Sequence, residues 1–381
     1  MYTFIANPNA RSGRGILLWK QIEKILQEKE IEYKVLFTKY QHHATRLVHD
    51  LTSDSASHTI VVLGGDGTLN EVIDGIVYLD KVTLGYIPLG SGNDFARGLG
   101  LGSMKTVGII CPNIDDIYMA KAVSYLERNL HAHGYDCILG CSGFKQEEKV
   151  DYVRLLLSKK IDTLILVGST YAGNGKDESD TDYIREAAEQ VSIFMINAKV
   201  SGDNIYCTYA DDFQATYEVT KAFIRRGKEK ILFMYDSESY SARQKMAGYE
   251  AALQDAGYPI RGNLKFKTKN DIEYTRDMLL EYNRTLDFDS VLATEDGIAI
   301  GAVKYAKIKG LAIPEELAVV GYNNSILAIS SDPELTSVDS KLGVMCKKTV
   351  ERMIDLLERE IQIEKNVCVP CEIVRRCTTD F

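Results

Sequence analysis

Two glycine-rich runs hold the most chemically suggestive spacing in the chain, GGDGT at 64–68 and GSGND at 90–94. Each follows directly on an apolar stretch, HTIVVL in the first case and VTLGYIPL in the second. Gly64, Gly65 and Gly67 remove side chains, so backbone N–H groups can come close to a phosphate. Asp66 adds a carboxylate able to hold Mg2+ or to orient a phosphoryl group. Either loop alone is equally the mark of a structural turn, because tight turns after strands recruit the same residue types. A third run, NPNARSG at 7–13, closes the opening apolar stretch YTFIA and makes an ordered set of three.

The elements that must position these loops alternate in type. YTFIA reads as a strand, and ILLWKQIEKILQEK at 16–29 as a helix with Ile16, Leu17, Ile22, Ile25 and Leu26 near one face. YKVLFT is a second strand, a helix follows around 43–51, and HTIVVL and VTLGYIPL are the third and fourth strands. Strands and helices joined by short links predict a doubly wound α/β fold with a parallel sheet. Both glycine loops then occupy the carboxyl end of a strand, where open α/β sheets bind ligands.

The ordered trio resembles the diacylglycerol kinase catalytic domain family of bacterial lipid kinases over residues 2 to about 100. The resemblance implies ATP and Mg2+ as cofactors, with Asn7 near the nucleotide and Gly64, Gly65, Asp66, Gly67 and Thr68 around its phosphates. Asn70 and Glu71 would begin the helix behind that loop, and Gly90, Ser91, Gly92, Asn93 and Asp94 would close the pocket. Ser91 stands where the family usually has Thr and keeps the hydroxyl. Members of that family continue into a β-rich second domain that supplies the catalytic base and further Mg2+-binding acids. Nothing after residue 101 resembles it. Phosphoryl transfer depends on several groups acting together, so little kinase activity is expected, and Asp66 is catalytic only if the kinase is active.

From residue 105 the alternation restarts, with strands at TVGIICPN, YDCILGCS, DTLILVGS, VSIFMIN, EKILFMYD, SVLATED and finally ELAVVGYNN. Two successive doubly wound units predict two α/β lobes facing a cleft that closes on a small molecule. The landmarks VGIICPNIDDIYMAKAV, KKIDTLILVGS, RQKMAGYEAAL, LATEDGIAIGAV, IPEELAVVGYNN and ELTSVD resemble the sensor domain of the LacI/GalR repressor family. That domain shares the periplasmic sugar-binding-protein fold, and the resemblance covers essentially all of 105–375. It implies a sugar or nucleoside-like effector, a homodimer, and ligand contacts at Tyr118, Met119, Asn197, Lys245, Glu295, Asp296 and Asn323. Tyr118 and Met119 match an aromatic pair, with Met in the second place. Asn197 and Asn323 stand where the family often has Asp, Lys245 where it has Arg, and Glu295 where it often has Asn. Exchanging Arg for Lys loses the bidentate fork, and the Asp-to-Asn exchanges remove charge, so a ligand other than a standard hexose is expected. Taken singly, Tyr118 reads equally as core, and Asn197 and Asn323 as turn residues with left-handed backbone.

Composition splits at the same place. Residues 1–101 carry 10 Lys+Arg against 11 Asp+Glu, which leaves −8 of the net −9 in the remainder. All eight cysteines lie after residue 110, while four of the six histidines lie before residue 60. Cys368 and Cys371 are spaced CVPC with no His nearby, so free buried thiols in a reducing compartment are expected rather than a zinc site. The expected domains are 1–101, a junction at 102–104, and 105–381. Gly102-Ser103-Met104 reads as a cloning scar followed by the second part's own Met, which predicts a fusion of unrelated families. No basic helix-turn-helix segment precedes residue 105, so direct DNA binding by this chain is not expected. There is no run of eighteen apolar residues and no signal peptide, which predicts a cytoplasmic protein without a membrane span.

Overall fold

Runs such as TVGIIC at 106–111 and TLILV at 163–167 are buried at every residue, the pattern of strands inside a parallel sheet with helices on both faces. The structure is a computed structural model that describes residues 1–10, 15–54, 56–89, 105–175, 177–282, 286–359 and 361–381. The chain divides into two compact units, Met1–Lys105 and Thr106–Phe381.

In the first unit, strands β1 (Tyr2–Ala6), β2 (Tyr33–Phe37), β3 (His58–Gly64) and β4 (Val82–Pro88) form a parallel sheet in the order β2-β1-β3-β4. Helix α1 (Gly15–Glu28) covers one face, packing Trp19 and Leu26 against Phe4 and Leu63. Helices α2 (His43–Thr52) and α3 (Asp66–Gly75) cover the other, where Val48, Leu69 and Val72 meet Ile5, Ile60 and Val62. Two sequence expectations are corrected here. The buried face of α1 is the stripe of Gly15, Trp19 and Leu26, with Ile22 partly buried, while Ile16, Leu17 and Ile25 are exposed. The indole decides the helix's rotation, since its ring packs edge-on to Phe4 and Tyr33 at 5.2 and 5.6 Å. Helix α3 begins at Asp66, so Asn70 and Glu71 lie within it rather than at its start.

The second unit contains two six-stranded sheets. The first joins β5 (Thr106–Cys111), β6 (Asp136–Cys141), β7 (Thr163–Val167), β8 (Ser192–Ile196), β9 (Ile205–Ala210) and β15 (Asn366–Val369) in the order β15-β9-β8-β7-β5-β6. The second joins β10 (Ile231–Tyr235), β11 (Lys265–Lys267), β12 (Ser290–Ala293), β13 (Ala318–Tyr322), β14 (Thr336–Asp339) and β16 (Glu372–Val374) in the order β11-β10-β12-β13-β14-β16. Every pairing is parallel except β14 with β16. Helix α4 (Ile117–Ala132) lies in the first lobe. Helices α5 (Asp212–Arg225), α6 (Tyr240–Asp255) and α7 (Asp296–Lys309) lie in the second, and α8 (Leu342–Leu357) returns to the first.

The chain therefore passes between the lobes three times, after β9, after β14 and after β15. These crossings are tied together, with Asp211 N donating to Val369 O at 2.9 Å and Cys371 Sγ to Asp211 O at 3.7 Å. Strands β9 and β11 and the strands beyond β13 were not anticipated. IYCTYA mixes polar and aromatic residues, and the last three strands are only three or four residues long. Nor are the thiols uniformly buried: Cys111, Cys207 and Cys346 are, but Cys141, Cys368 and Cys377 are exposed. Two of the exposed three sit on β6 and β15, the edge strands of the first lobe.

Candidate functional site

In the first unit the strand order reverses between β1 and β3, which opens a crevice at their carboxyl ends. Asn7 leaves β1 there and bridges it, with its N donating to Leu63 O at 2.9 Å and Nδ2 to Thr68 Oγ1 at 3.3 Å. Gly65 is the N-cap of α3, so the helix's first N–H groups open onto the crevice without a capping side chain. A Cβ on Gly64 would lie 2.6 Å from Thr68 Cβ, whereas Gly67 has open space around it. Asp66 accepts from the Tyr86 hydroxyl at 3.2 Å, and burial together with that carboxylate pushes the Tyr86 phenol up.

Glu71 does a different job from the one the resemblance implied. Its carboxylate accepts from the N–H groups of His42 and Ala44 at 2.9 and 3.3 Å and so caps α2. Asn70 is exposed. Gly90, Ser91, Gly92, Asn93 and Asp94 lie outside the described residues. The open helix N-terminus suits a phosphate. Among the described residues no three His, Cys, Asp or Glu side chains converge to hold a metal.

In the second unit a cavity of about 1040 Å³ lies between the lobes, and Tyr118, Met119, Asn197, Lys245, Glu295, Asp296 and Asn323 all line it. Strand ends place most of them. Asn197 follows β8 and Asn323 follows β13, both with left-handed backbone at φ 60° and 84°. The turn reading and the site reading thus hold together, because the αL turn aims each amide inward. Asn197 is 7% exposed, and its amide oxygen has no hydrogen-bond partner. The Tyr118 hydroxyl is likewise buried without a partner. Asn323 Nδ2 donates to Glu295 Oε2 at 2.7 Å.

Lys245 is 3% exposed. Its ammonium donates to Thr294 O at 3.1 Å and sits 3.6 Å over the Tyr322 ring. Asp296 lines the cavity but has both oxygens engaged, accepting from Ser325 N and Ser337 Oγ at 2.6 Å each. It fixes two loops and offers little to a ligand.

Sequence reasoning missed Asp116, Asp212, Asp236 and Tyr322. Asp116 caps α4 by accepting from Met119 N at 3.0 Å. Asp236 ends the strand run and faces the cavity, with burial raising its carboxyl and Lys245 opposing that rise. Asp212 is 2% exposed at the first crossing and accepts from the Tyr322 hydroxyl at 2.6 Å. Burial likewise holds Glu295 well above the usual carboxylate range against the pull of Lys245, and the charges of Asp236 and Asp116 add to the rise. A carboxylate directly after a strand, as in MYD, was the available signal for Asp236, and an Asp just before a helix, as in PNIDD, for Asp116.

The chain has two recognisable relationships. Residues 1–124 match the diacylglycerol kinase catalytic domain, and residues 104–377 match the periplasmic binding proteins and sugar binding domain of the LacI family. An HTH-type transcriptional regulator of Lachnoclostridium phytofermentans is 38% identical over 321 residues, 84% of this chain and 94% of that protein. The crystal structure of the transcription regulator CcpA of Lactococcus lactis superposes with a TM-score of 0.64 at 24% identity, over 73% of this chain and all of that one. The crystal structure of the lac repressor dimer bound to operator and the anti-inducer ONPF does so with a TM-score of 0.67 at 19% identity, over 77% of this chain and 99% of that one. Among the described residues no helix is long and apolar enough to cross a membrane.

Proposed function

Because the chain belongs, through residues 104–377, to the family of periplasmic binding proteins and LacI sugar binding domains, we propose that its second unit is the effector sensor of a transcriptional regulator. The effector is a small polar molecule of the sugar or nucleoside class, held by Tyr118, Met119, Asn197, Lys245, Glu295 and Asn323. The observation that carries this reading is the cavity shared by both lobes, into which Asn197 directs a buried amide oxygen with no partner of its own. A buried acceptor left unpaired is costly, and a ligand hydroxyl or amine relieves it. Three crossings joining the lobes permit closure by hinge bending. The sensor works as a homodimer, by analogy with the lac repressor dimer. The net charge of −8 after residue 101 argues against operator contact through this unit.

The test is thermal unfolding of the full chain against pentoses, hexoses, their amino derivatives and purine nucleosides. A cognate ligand at a hundredfold its Kd stabilises by about 2.7 kcal/mol, and Asn197→Ala abolishes the shift. A panel without any stabilising compound, or an unchanged response in Asn197→Ala, removes the reading.

A second reading concerns the first unit, on the strength of the Asn7–Thr68 bridge across the β1/β3 crevice. There Asn7, Gly64, Gly65, Asp66, Gly67 and Thr68 would cradle ATP phosphates with Mg2+, in the manner of a lipid kinase. Mg-ATP turnover on diacylglycerol that disappears in Asp66→Ala would establish it. Folded protein without turnover would leave at most nucleotide binding.

A further inference from the structure

The charges lining the cleft are unbalanced in a way that bears on the ligand. Asp116, Asp236 and Glu295 all face the cavity, and none is in an ion pair among the described residues. One oxygen of Asp116 takes the Met119 N–H and one of Glu295 takes the Asn323 amide, which leaves acceptors in excess. Lys245, the buried lysine among the described residues of the lining, spends its ammonium on Thr294 O and the Tyr322 ring. The other lysines of the lining are engaged elsewhere or exposed. Lys341 is held by Asp339 and Glu372, Lys269 lies 4.5 Å over the Tyr274 ring, and Lys121 is exposed on α4.

A second, separate observation points to an occupant with hydrogens to give: Asn197, 7% exposed, lines the same cavity with a buried, unpartnered amide oxygen. A neutral polyol answers such a wall poorly. Each hydroxyl brings one donor and no charge, so it cannot offset carboxylate charge in a low-dielectric cleft. An ammonium brings three donors and a full charge.

Resting on the reading of this cleft as the effector site, we infer that the effector carries a protonated amine seated among Asp116, Asp236 and Glu295. It is an amino sugar or an equivalent cationic polyol. Its hydroxyls meet Asn197, Asn323 and Tyr118, and its ammonium adds a second positive charge where Lys245 alone faces three carboxyl groups. The carboxyl groups of Glu295 and Asp236 are raised chiefly by burial, with Lys245 pulling against this. A bound cation therefore favours their ionised forms and releases protons as it binds.

Isothermal titration of the full chain at about pH 6.5, where an amine of ordinary basicity is protonated, uses matched pairs. These are glucose with glucosamine, galactose with galactosamine and sorbitol with glucamine, with N-acetylglucosamine as the neutralised amine. At least one amine binds roughly tenfold or more tightly than its neutral partner, the scale of one charge-assisted hydrogen bond. Its apparent enthalpy varies with the ionisation enthalpy of the buffer, as proton release requires. Glu295→Gln and, independently, Asp236→Asn collapse the preference, and either folded variant suffices. Neutral members binding as well as the amines, or a preference that survives both substitutions, overturns the inference. If neutral sugars or nucleosides bind and no amine does, the effector reading stands and this inference falls. If nothing binds, both fall.

Discussion

Gly248→Ala lowers the thermal unfolding temperature of the second unit by roughly 4–12 °C in calorimetry of the full chain. Helix α6 crosses α5 at this residue, and a Cβ on Gly248 would lie 2.1 Å from Phe213 O and 2.4 Å from Thr216 Oγ1. The first of those neighbours is backbone and cannot rotate away. Thr216 is also fixed, since its hydroxyl donates to Lys245 O at 2.8 Å and thereby joins the two helices. Adding one methyl group must push the helices apart, at about 2–3 kcal/mol. For a unit of this size each kcal/mol moves the midpoint by about 2–4 °C. The displacement also reaches the cleft, because Lys245 sits one turn upstream of Gly248 on α6. The control is Gly262→Ala, where an added Cβ meets nothing within 4 Å. A Gly248→Ala midpoint matching that control would show that the helices do not approach so closely.

What the sequence disclosed and what it withheld follow from the range of the interactions involved. The parallel sheets were legible because continuous apolar runs ending in glycine or asparagine record burial on both faces. The glycine loop after β3 was legible for the same local reason, since Gly65 and Asp66 mark the end of a strand and the beginning of a helix. The rotation of α1 was not, because Ile16, Leu17 and Ile25 are as apolar as Leu26, and only packing against Phe4 and Tyr33 selects the face that carries Trp19. Strand β9 was hidden by its polar residues, which it tolerates between β8 and β15. At the cleft, residues carried over from the family landmarks meet on one cavity. The partners that set their chemistry do not appear in local spacing. Tyr322 reaches Asp212 across 110 positions, and Asp296 is drawn off by Ser337, 41 positions away. Fold class is written in short-range periodicity, whereas charge balance is settled by contacts that only the closed topology creates.

Lys245→Met costs the second unit on the order of 2–4 kcal/mol near neutral pH, and the deficit shrinks as the solution is made acidic. The stem of the side chain is conserved in length, and the thioether can still lie on Tyr322, so the loss is mainly one of charge. Asp212, Asp236 and Glu295 each feel Lys245 as an opposing pull on a carboxyl raised chiefly by burial. A raised carboxyl means that the folded state holds a proton the unfolded chain has already released. Stability therefore falls as pH climbs from the ordinary carboxylate range, about 4, through each folded-state value. Without Lys245 those values rise further and the fall continues to higher pH. Well below about pH 4 the three groups are protonated in both states, and the ammonium no longer matters to them. The remaining neighbours do not reverse this sign. Cys371 is pushed up to about 12 by burial, and burial raises Tyr322 well above the ordinary tyrosine range, so neither titrates in this window. Asp116 adds to the rise of Asp236 and Glu295. Urea midpoints of both proteins at about pH 4.5, 6 and 8 measure the difference, and a deficit that is constant or grows in acid contradicts the electrostatic account. Asp212→Asn in the Lys245→Met background restores part of the loss, because the amide oxygen still accepts from Tyr322 while one uncompensated carboxylate disappears.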